Sequence, residues 1–303
     1  MKPDSNISRA QAVARSRLRT LVVAVAGLAA AAGVQASPIV YNNLQVTNAM
    51  ASASRPDTAG FEIESADDFV LTQTTSIDHA SFIGLFKAGT TGLPAVSQIR
   101  LEIYRVFPLD SDTTRTLHVP TRTNSPSDVA LDAREFSSLA FTTSVLSPTF
   151  TALNSVAPGG IHPSPGQTTG GNGPVTGQEV QFEVDLLTPF VLGAGHYFFI
   201  PQVLLNNGGE FYWLSASRPI SGPGTTPFAP DLQSWTRDQF LDPDWLRIGT
   251  DIVGGATPPQ FNAAFALRGQ AVPEPPALGL FAAGALVALL ARRRRLPFAA
   301  DPR

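Results

Sequence analysis

The sequence predicts an all-β protein whose central part is an antiparallel β-sandwich of the jelly-roll type. Three observations support this prediction. Apolar and polar residues alternate along many short stretches, the turn-forming residues Gly and Pro are frequent (25 and 26 of 303 residues), and the central part has no convincing amphipathic helix pattern. Many short strands separated by turns are typical of sandwiches and barrels.

Period-two alternation identifies the individual strands. In the segment IRLEI at residues 99–103, every second residue is Ile or Leu, and the same alternation occurs at 180–186 and 261–267. Further strands are expected at residues 68–72, 76–86, 139–146, 196–205, 210–215 and 245–249, and one helical turn at 134–139. We therefore expect nine or ten strands in this part of the chain.

The segment HYFFIPQVLLNNGGEFYWLSAS, residues 196–217, has the pattern of a β-hairpin. Two runs of aromatic and β-branched residues flank Asn206-Asn207-Gly208-Gly209, and residues of these types tolerate the positive φ angles of a tight reversal. Pro201 in the first run lacks an N–H group, which predicts an edge position or a bulge there.

The first 36 residues have the three parts of an export signal. Five Lys and Arg residues stand against one acid in the first nineteen positions, and an apolar run from Leu21 to Val34 follows. Val34 and Ala36 are the small residues that signal peptidase requires before its cut. We therefore predict a signal peptide at 1–36, with cleavage between Ala36 and Ser37, and a body at 37–270.

The last segment, 271–303, has three parts in a fixed order. It begins with Val272, Pro273, Glu274 and Pro275, continues as an apolar run from 277 to 291, and ends in Arg292, Arg293, Arg294 and Arg295. As a helix the run spans about 22 Å at 1.5 Å per residue, against a hydrocarbon core of about 30 Å. The positive-inside rule orients a single transmembrane helix here with the arginines in the cytoplasm and the body outside.

This order of parts resembles the PEP-CTERM sorting signal of exported Gram-negative bacterial proteins. The resemblance implies that an exosortase in the inner membrane recognises the Pro-Glu-Pro tripeptide, cuts there and releases the body towards the cell surface. It also implies coexistence with exopolysaccharide production, hence a structural or adhesive role in the extracellular matrix. The alternative for this segment is a plain C-terminal membrane anchor. The two edges of the body weakly resemble those of other PEP-CTERM β-sandwich proteins: ESADDFVL at its start, and DWLRIGTDIV followed by FNAAFALRG at its end.

Composition excludes several classes of partner and site. The whole chain has a formal charge of −3, but residues 37–270 carry 11 Lys and Arg against 21 Asp and Glu, a charge of −10. Nucleic-acid binding needs clustered cations, so no nucleic-acid partner is expected. The chain has no cysteine, which excludes disulfides, thiolate metal sites and a cysteine nucleophile.

No catalytic motif is present. The four histidines occur in separate segments without an H-x-H or H-E-x-x-H pair, and G-x-S-x-G is missing. Two acidic turns, Asp110-Ser-Asp112 and Asp242-Pro-Asp244, could supply oxygen ligands to Ca²⁺. The favoured interpretation is that these aspartates cap backbone N–H groups in turns. We therefore expect no cofactor, with Ca²⁺ as the alternative.

Tryptophan residues offer the remaining candidate site. An exposed Trp can stack on a sugar ring, and Trp235 and Trp245 flank an acidic, loop-like stretch. Core packing is favoured for Trp213 and Trp245, whereas Trp235 is expected to be exposed. The preferred function is a non-catalytic exported protein of the cell surface or matrix, processed by signal peptidase and exosortase. The second is a carbohydrate-binding module, with or without Ca²⁺, and the third is a surface glycoside hydrolase.

Overall fold

The computed structural model describes residues 37–57, 60–87, 96–162, 167–206, 208–217 and 232–272. Within these ranges the protein is all-β, as predicted. The strands are β1 Ile39–Asn43, β2 Val46–Ala53, β3 Ile63–Leu71, β4 Thr75–Lys87, β5 Val96–Arg105, β6 Asp132–Glu135, β7 Leu139–Ala152, β8 Ser155–Val156, β9 Val175–Leu192, β10 Gly195–Leu205, β11 Phe211–Ala216, β12 Trp235–Asp238, β13 Leu246–Arg247, β14 Asn262–Ala263 and β15 Phe265–Ala271. A 3₁₀ turn lies at Phe136–Ser138 and a π-helical turn at Ile248–Val253.

The strands form two sheets. One sheet has nine strands, with β1-β15-β4-β11-β2-β8 in order, β14 beside β11, and β9 between β4 and β7. The other has six strands in the order β13-β12-β3-β10-β5-β6. The strand pairs are antiparallel except β2 with β8, which is parallel. Long sequence separations between neighbouring strands mean that each sheet is assembled from distant parts of the chain.

The main hydrophobic core contains side chains from both sheets. Phe199 of β10 stacks on Phe265 of β15 with ring centroids 5.2 Å apart, and Phe69 of β3 lies 6.3 Å from Tyr41 of β1. Phe82 and Phe182, on neighbouring strands β4 and β9, stack at 4.7 Å. Each fully buried aromatic side chain contributes about 1.5–3 kcal/mol from removal of apolar area from water. The alternation at 99–103 is confirmed, since Ile and Leu at 99, 101 and 103 are buried in this core.

The expected hairpin at 196–217 is wrong. β10 pairs with β3 and β5 in the six-stranded sheet, whereas β11 pairs with β2, β4 and β14 in the nine-stranded sheet. Gly208 does have the positive φ (70°) that its position predicts, but the two strands do not pair as a hairpin. Both runs are apolar on both faces, so their sequence pattern carries no information about which neighbours they pair with.

Pro201 lies at a local edge of β10, just beyond the end of its pairing with β3, where Ser54 is the neighbour instead. The pairing of β10 with β3 ends at Phe199, while the pairing with β5 continues past Pro201. The Ser54 hydroxyl donates to the Pro201 carbonyl oxygen at 2.7 Å. This local edge position is the one that a residue without an N–H group requires.

Both ends of the described fold leave from one end of the nine-stranded sheet. β1 pairs antiparallel with β15, with Ile39 opposite Arg268. The Gly269 N–H donates to the Pro38 carbonyl at 3.0 Å, and the Val272 N–H donates to the Thr74 carbonyl at 2.9 Å. Residues 1–36 and 273–303, with the predicted signal peptide and most of the sorting segment, lie outside the described residues. Within the described part, no helix combines the length and apolar character needed to cross a bilayer.

Candidate functional site

The six-stranded sheet has a polar cavity on the face that points away from the main core. Alternation along β5 places Glu102 and Tyr104 on this face, because their neighbours 101 and 103 are buried in the main core. On the adjoining strands, Arg237 of β12 lies directly opposite Glu64 of β3. The cavity has a volume of about 220 Å³. We call it the acidic cavity; its lining residues are Glu62, Glu64, Arg100, Glu102, Tyr104, Arg237, Asp238, Gln239 and Asp242.

Arg237 is the central cation of the acidic cavity and is itself buried. Its guanidinium makes a close ion pair with the Glu64 carboxylate. Its Nη1 lies 2.9 Å from Asp242 Oδ1, and its Nη2 donates to the Tyr104 hydroxyl at 2.8 Å. The guanidinium also stacks over the Trp245 ring at 4.3 Å. The ion pair, these hydrogen bonds and the ring stacking fix the orientation of the group.

Glu102 and Glu64 form a buried carboxyl pair. Glu102 is 6% exposed and Glu64 is 3% exposed, and both carboxyl groups line the cavity and interact there. Burial, followed by the nearby negative charge of Glu64, raises the pKa of Glu102 to about 9. Glu102 therefore holds a proton at neutral pH, and Arg237 is the ion-pair partner of Glu64.

Arg100 and Glu62 complete the other side of the cavity. Arg100 Nη1 lies 3.5 Å from Glu62 Oε1 and 3.9 Å from Glu102 Oε1, while its Nε pairs with Glu135 at 2.7 Å. Gln202 donates to Glu62 Oε1 at 2.8 Å. Burial and the neighbouring Glu64 raise the pKa of Glu62 above its usual value. The cavity thus carries an excess of negative charge with few protein donors to balance it.

A second, more apolar cavity of about 300 Å³ adjoins the first, and Asp238 lines both. Phe240 forms part of its wall and is 74% exposed, with Phe61 at 5.9 Å between ring centroids. The Asp238 carboxylate accepts hydrogen bonds from the N–H groups of Phe240 and Leu241. This turn holds an exposed aromatic ring beside the acidic cavity.

The expected exposure of Trp235 is wrong. Trp235 is 2% exposed and packs in a satellite cluster with Ala66, Phe198 and Leu232 on the outer face of the six-stranded sheet. Trp245, 1% exposed, belongs to the same cluster and donates its indole N–H to the Ser127 carbonyl. Trp213 is 2% exposed in the main core. Core packing is therefore confirmed for Trp213 and Trp245, and none of the three rings has a free face for stacking on a sugar.

The four aspartates of the two acidic turns contact different partners. The Asp112 carboxylate caps the N–H and hydroxyl of Thr114 at 2.9 and 2.7 Å, the turn-capping role that the sequence favours. Asp110 pairs with Arg105 at 3.4 Å. Asp242 and Asp244 diverge: the first faces Arg237, and the second is buried against other cations.

Asp244 belongs to a separate buried ionic network. Its oxygens lie 2.7 Å from Arg115 Nη2, 2.6 Å from His118 Nδ1 and 3.5 Å from Arg122 Nε. Asp128 pairs with both arginines as well. In the described ranges, no group of three or more acidic or histidine side chains is arranged to hold a metal ion.

Sequence reasoning missed Glu62, Glu64, Glu102 and Arg237 as site residues. The available signal was a polar residue at each alternate position of a strand that is otherwise apolar, as with Glu102. That pattern places a carboxylate on the second face of the sheet, but it does not say which other strands lie beside it. Comparisons with known proteins found no matching family model, no matching curated protein and no matching solved structure.

Proposed function

We propose that this chain is an exported, non-catalytic protein of the cell surface or extracellular matrix, sorted by exosortase through its C-terminal segment. The observation that carries the proposal is the arrangement of two processing signals around one folded body. Signal peptidase acts between Ala36 and Ser37, and exosortase acts at Pro273-Glu274-Pro275. The four arginines after the apolar run hold the tail in the cytoplasm before processing.

The ends of the fold support this proposal. β1 begins at Ile39 and β15 ends at Ala271, so the two processing points lie just outside the first and last strands. Val272 is the last residue with a described backbone hydrogen bond to the fold. Cleavage at both points would leave all fifteen described strands in the released body. The Pro-Glu-Pro segment itself favours an extended form that a processing enzyme can bind.

We also propose that the two sheets are the layers of a jelly-roll-like sandwich. The contacts of Phe199 with Phe265 and of Phe69 with Tyr41 support this arrangement, because each joins a strand of one sheet to a strand of the other. A sandwich without disulfides needs a large apolar core, and the body is long enough to provide one.

The geometry of the acidic cavity supports a non-catalytic body better than it supports a glycoside hydrolase. The two carboxyl groups of a glycosidase stand about 5–10 Å apart, on either side of the scissile bond. Glu64 and Glu102 instead interact with each other, and the Glu64 carboxylate is ion-paired with Arg237.

A carbohydrate-binding module is the second candidate. The observation that favours it is the exposed Phe240, since a ring on a turn can stack on a sugar as a Trp would.

The test is a variant in which Pro273, Glu274 and Pro275 are all changed to Ala, expressed in the native host and followed by cell fractionation. We expect the variant to stay in the inner membrane with its tail uncut, while the wild type reaches the surface fraction. Gln270→Ala, at the exposed end of β15, is the matched control and should be sorted normally. Surface delivery of the triple variant would overturn the sorting proposal.

A further inference from the structure

The acidic cavity contains a charge that the described protein does not balance. Five carboxyl groups and two guanidinium groups line it. Arg237 is committed to Glu64 and Asp242, and the closest carboxylate to Arg100 is that of Glu135, outside the cavity. Even with a proton on Glu102, the cavity keeps an excess of negative charge at neutral pH. A cation is therefore the complementary ligand.

One atom marks the position of that ligand. Glu102 Oε2 is buried and receives no hydrogen bond from any donor in the described part of the chain. The nearest cation to the carboxyl group is Arg100, which approaches the other oxygen, Oε1, only to 3.9 Å. Leaving a buried carboxylate oxygen without a donor costs about 1–3 kcal/mol or more. A donor on a ligand inside the cavity can supply the missing hydrogen bond.

We propose that the acidic cavity binds a small organic cation through a primary ammonium group, which donates to Glu102 Oε2. This site is independent of the sorting proposal, because it depends only on the folded body. An ammonium group has three donors, and the cavity offers acceptors on Glu62, Glu64 and Glu102 within one face of the sheet. The Gln239 side chain, which also lines the cavity, offers a partner for a hydroxyl group of the same ligand.

An ammonium group fits better than a metal ion. Ca²⁺ takes six to eight oxygen ligands at about 2.3–2.6 Å, and the described carboxylates are not arranged in a group that could hold a metal. The cavity volume of about 220 Å³ is also that of about seven water molecules, at about 30 Å³ each. This space suits an organic molecule of a few heavy atoms.

Binding is coupled to release of a proton. The pKa of Glu102 is raised to about 9 in the free protein, so an ammonium that requires the ionised form displaces the proton at neutral pH. The affinity for the ammonium ligand should therefore increase with pH, up to the pH at which Glu102 is already ionised in the free protein. The charged and titratable groups around Glu102 are Glu62 and Glu64 beside and on β3, Arg100 and Tyr104 on β5, Glu135 on β6, and Arg237, Asp238 and Asp242 on and after β12.

The probe is ethanolamine, and its binding is measured by isothermal titration calorimetry. The sample is the protein purified from its host in the processed form that the host produces. Ethylene glycol is the neutral match, since it replaces the ammonium with a hydroxyl. We expect saturable binding of ethanolamine only, with an affinity that rises up to about tenfold per pH unit between about pH 6 and about pH 8. The observed heat should depend on the ionisation enthalpy of the buffer, because one proton is released.

Two variants separate this site from a general effect of charge. Glu102→Gln keeps the size and hydrogen-bonding capacity of the side chain, and it should lose at least about tenfold in ethanolamine affinity at about pH 8 together with the proton release. Glu135→Gln, which removes the exposed partner of Arg100, should retain both. Equal binding of ethylene glycol, unchanged binding by Glu102→Gln, or displacement of the proton by Ca²⁺ but not by ethanolamine would each overturn the proposal. Thermal unfolding of each variant checks that it is folded.

Discussion

The guanidinium of Arg237 stacks on the indole ring of Trp245 at 4.3 Å from the ring centroid, on the outer face of the six-stranded sheet. Trp245 is 1% exposed, so this contact is buried. The same guanidinium pairs with Glu64 of β3. Arg237 therefore joins the satellite apolar cluster to the acidic cavity, and its loss affects both.

Arg237→Met should destabilise the protein by about 3–5 kcal/mol, because it leaves the buried Glu64 without its cation. Urea unfolding followed by tryptophan fluorescence measures this change. Arg105→Met is the matched control, since Arg105 is 39% exposed and its pair with Asp110 is a surface pair. Such pairs contribute about 0–1 kcal/mol. Equal effects of the two substitutions would contradict the structural role of Arg237.

Asp67 stabilises the junction between the two sheets. It is fully buried, accepts a hydrogen bond from the Ser234 hydroxyl at 2.9 Å and accepts one from the N–H of Ala263, in β14 of the nine-stranded sheet, at 2.8 Å. Asp67→Ala should lower the free energy of unfolding by at least about 1–3 kcal/mol, because it leaves a buried N–H group without an acceptor. Asp67→Asn should cost less, because its one carbonyl oxygen can still accept from Ala263.

Asp57→Ala is the control for this prediction, since Asp57 is exposed. It should change the free energy of unfolding by no more than about 0.5 kcal/mol. Chemical denaturation of the three variants gives the order. An Asp67→Ala protein as stable as Asp57→Ala would show that the described hydrogen bonds do not contribute.

The carboxyl pair makes stability depend on pH. Because Glu102 keeps its proton in the folded state up to about pH 9, and an unfolded Glu ionises near about 4.3, the folded state binds more protons between these values. Stability contributed by Glu102 is therefore present at low pH and falls as pH rises, by at most about 1.4 kcal/mol per pH unit. Glu102→Gln should remove this slope.

Urea unfolding of wild type and Glu102→Gln at about pH 5, 7 and 9 tests the slope. The variant should gain stability relative to the wild type at each higher pH. Glu135→Gln should follow the wild type, since Glu135 is 49% exposed. Parallel pH profiles for wild type and Glu102→Gln would mean that Glu102 is ionised in the folded protein.

Calcium removal should leave the melting temperature unchanged. The Asp110, Asp112, Asp242 and Asp244 carboxylates are engaged by Arg105, Thr114, Arg237 and the Arg115–His118–Arg122 network, respectively. Differential scanning fluorimetry with excess CaCl₂ and then with EDTA measures this. A rise in melting temperature that saturates with Ca²⁺ would indicate a site that these ion pairs do not exclude.

Local pattern was enough to find most strands, and it failed where pairing depends on distant segments. The alternation at 99–103 correctly separates the core positions from Arg100 and Glu102. Alternation alone does not predict that Glu102 lies near Glu64 and Arg237, because the sheet order β12-β3-β10-β5 joins segments that are far apart in the chain. Only the tertiary structure makes an acidic cavity from these three side chains.

The two wrong predictions have the same cause. β10 and β11 have the turn chemistry of a hairpin, but their buried faces on both sides suit central positions in two different sheets. Trp235 follows a segment rich in Gly and Pro and is predicted to be exposed, yet it starts β12 and is covered by the satellite cluster. Burial of a side chain on the outer face of a sheet depends on which segments cover that face, and alternation does not encode this.

The central claim is that the body is released after processing at both ends. The most direct test is the intact mass of the protein recovered from the surface fraction of its native host. We predict a chain that begins at Ser37 and ends within Pro273–Pro275. A mass that retains residues 277–303 would show a tail-anchored membrane protein and would contradict the sorting account.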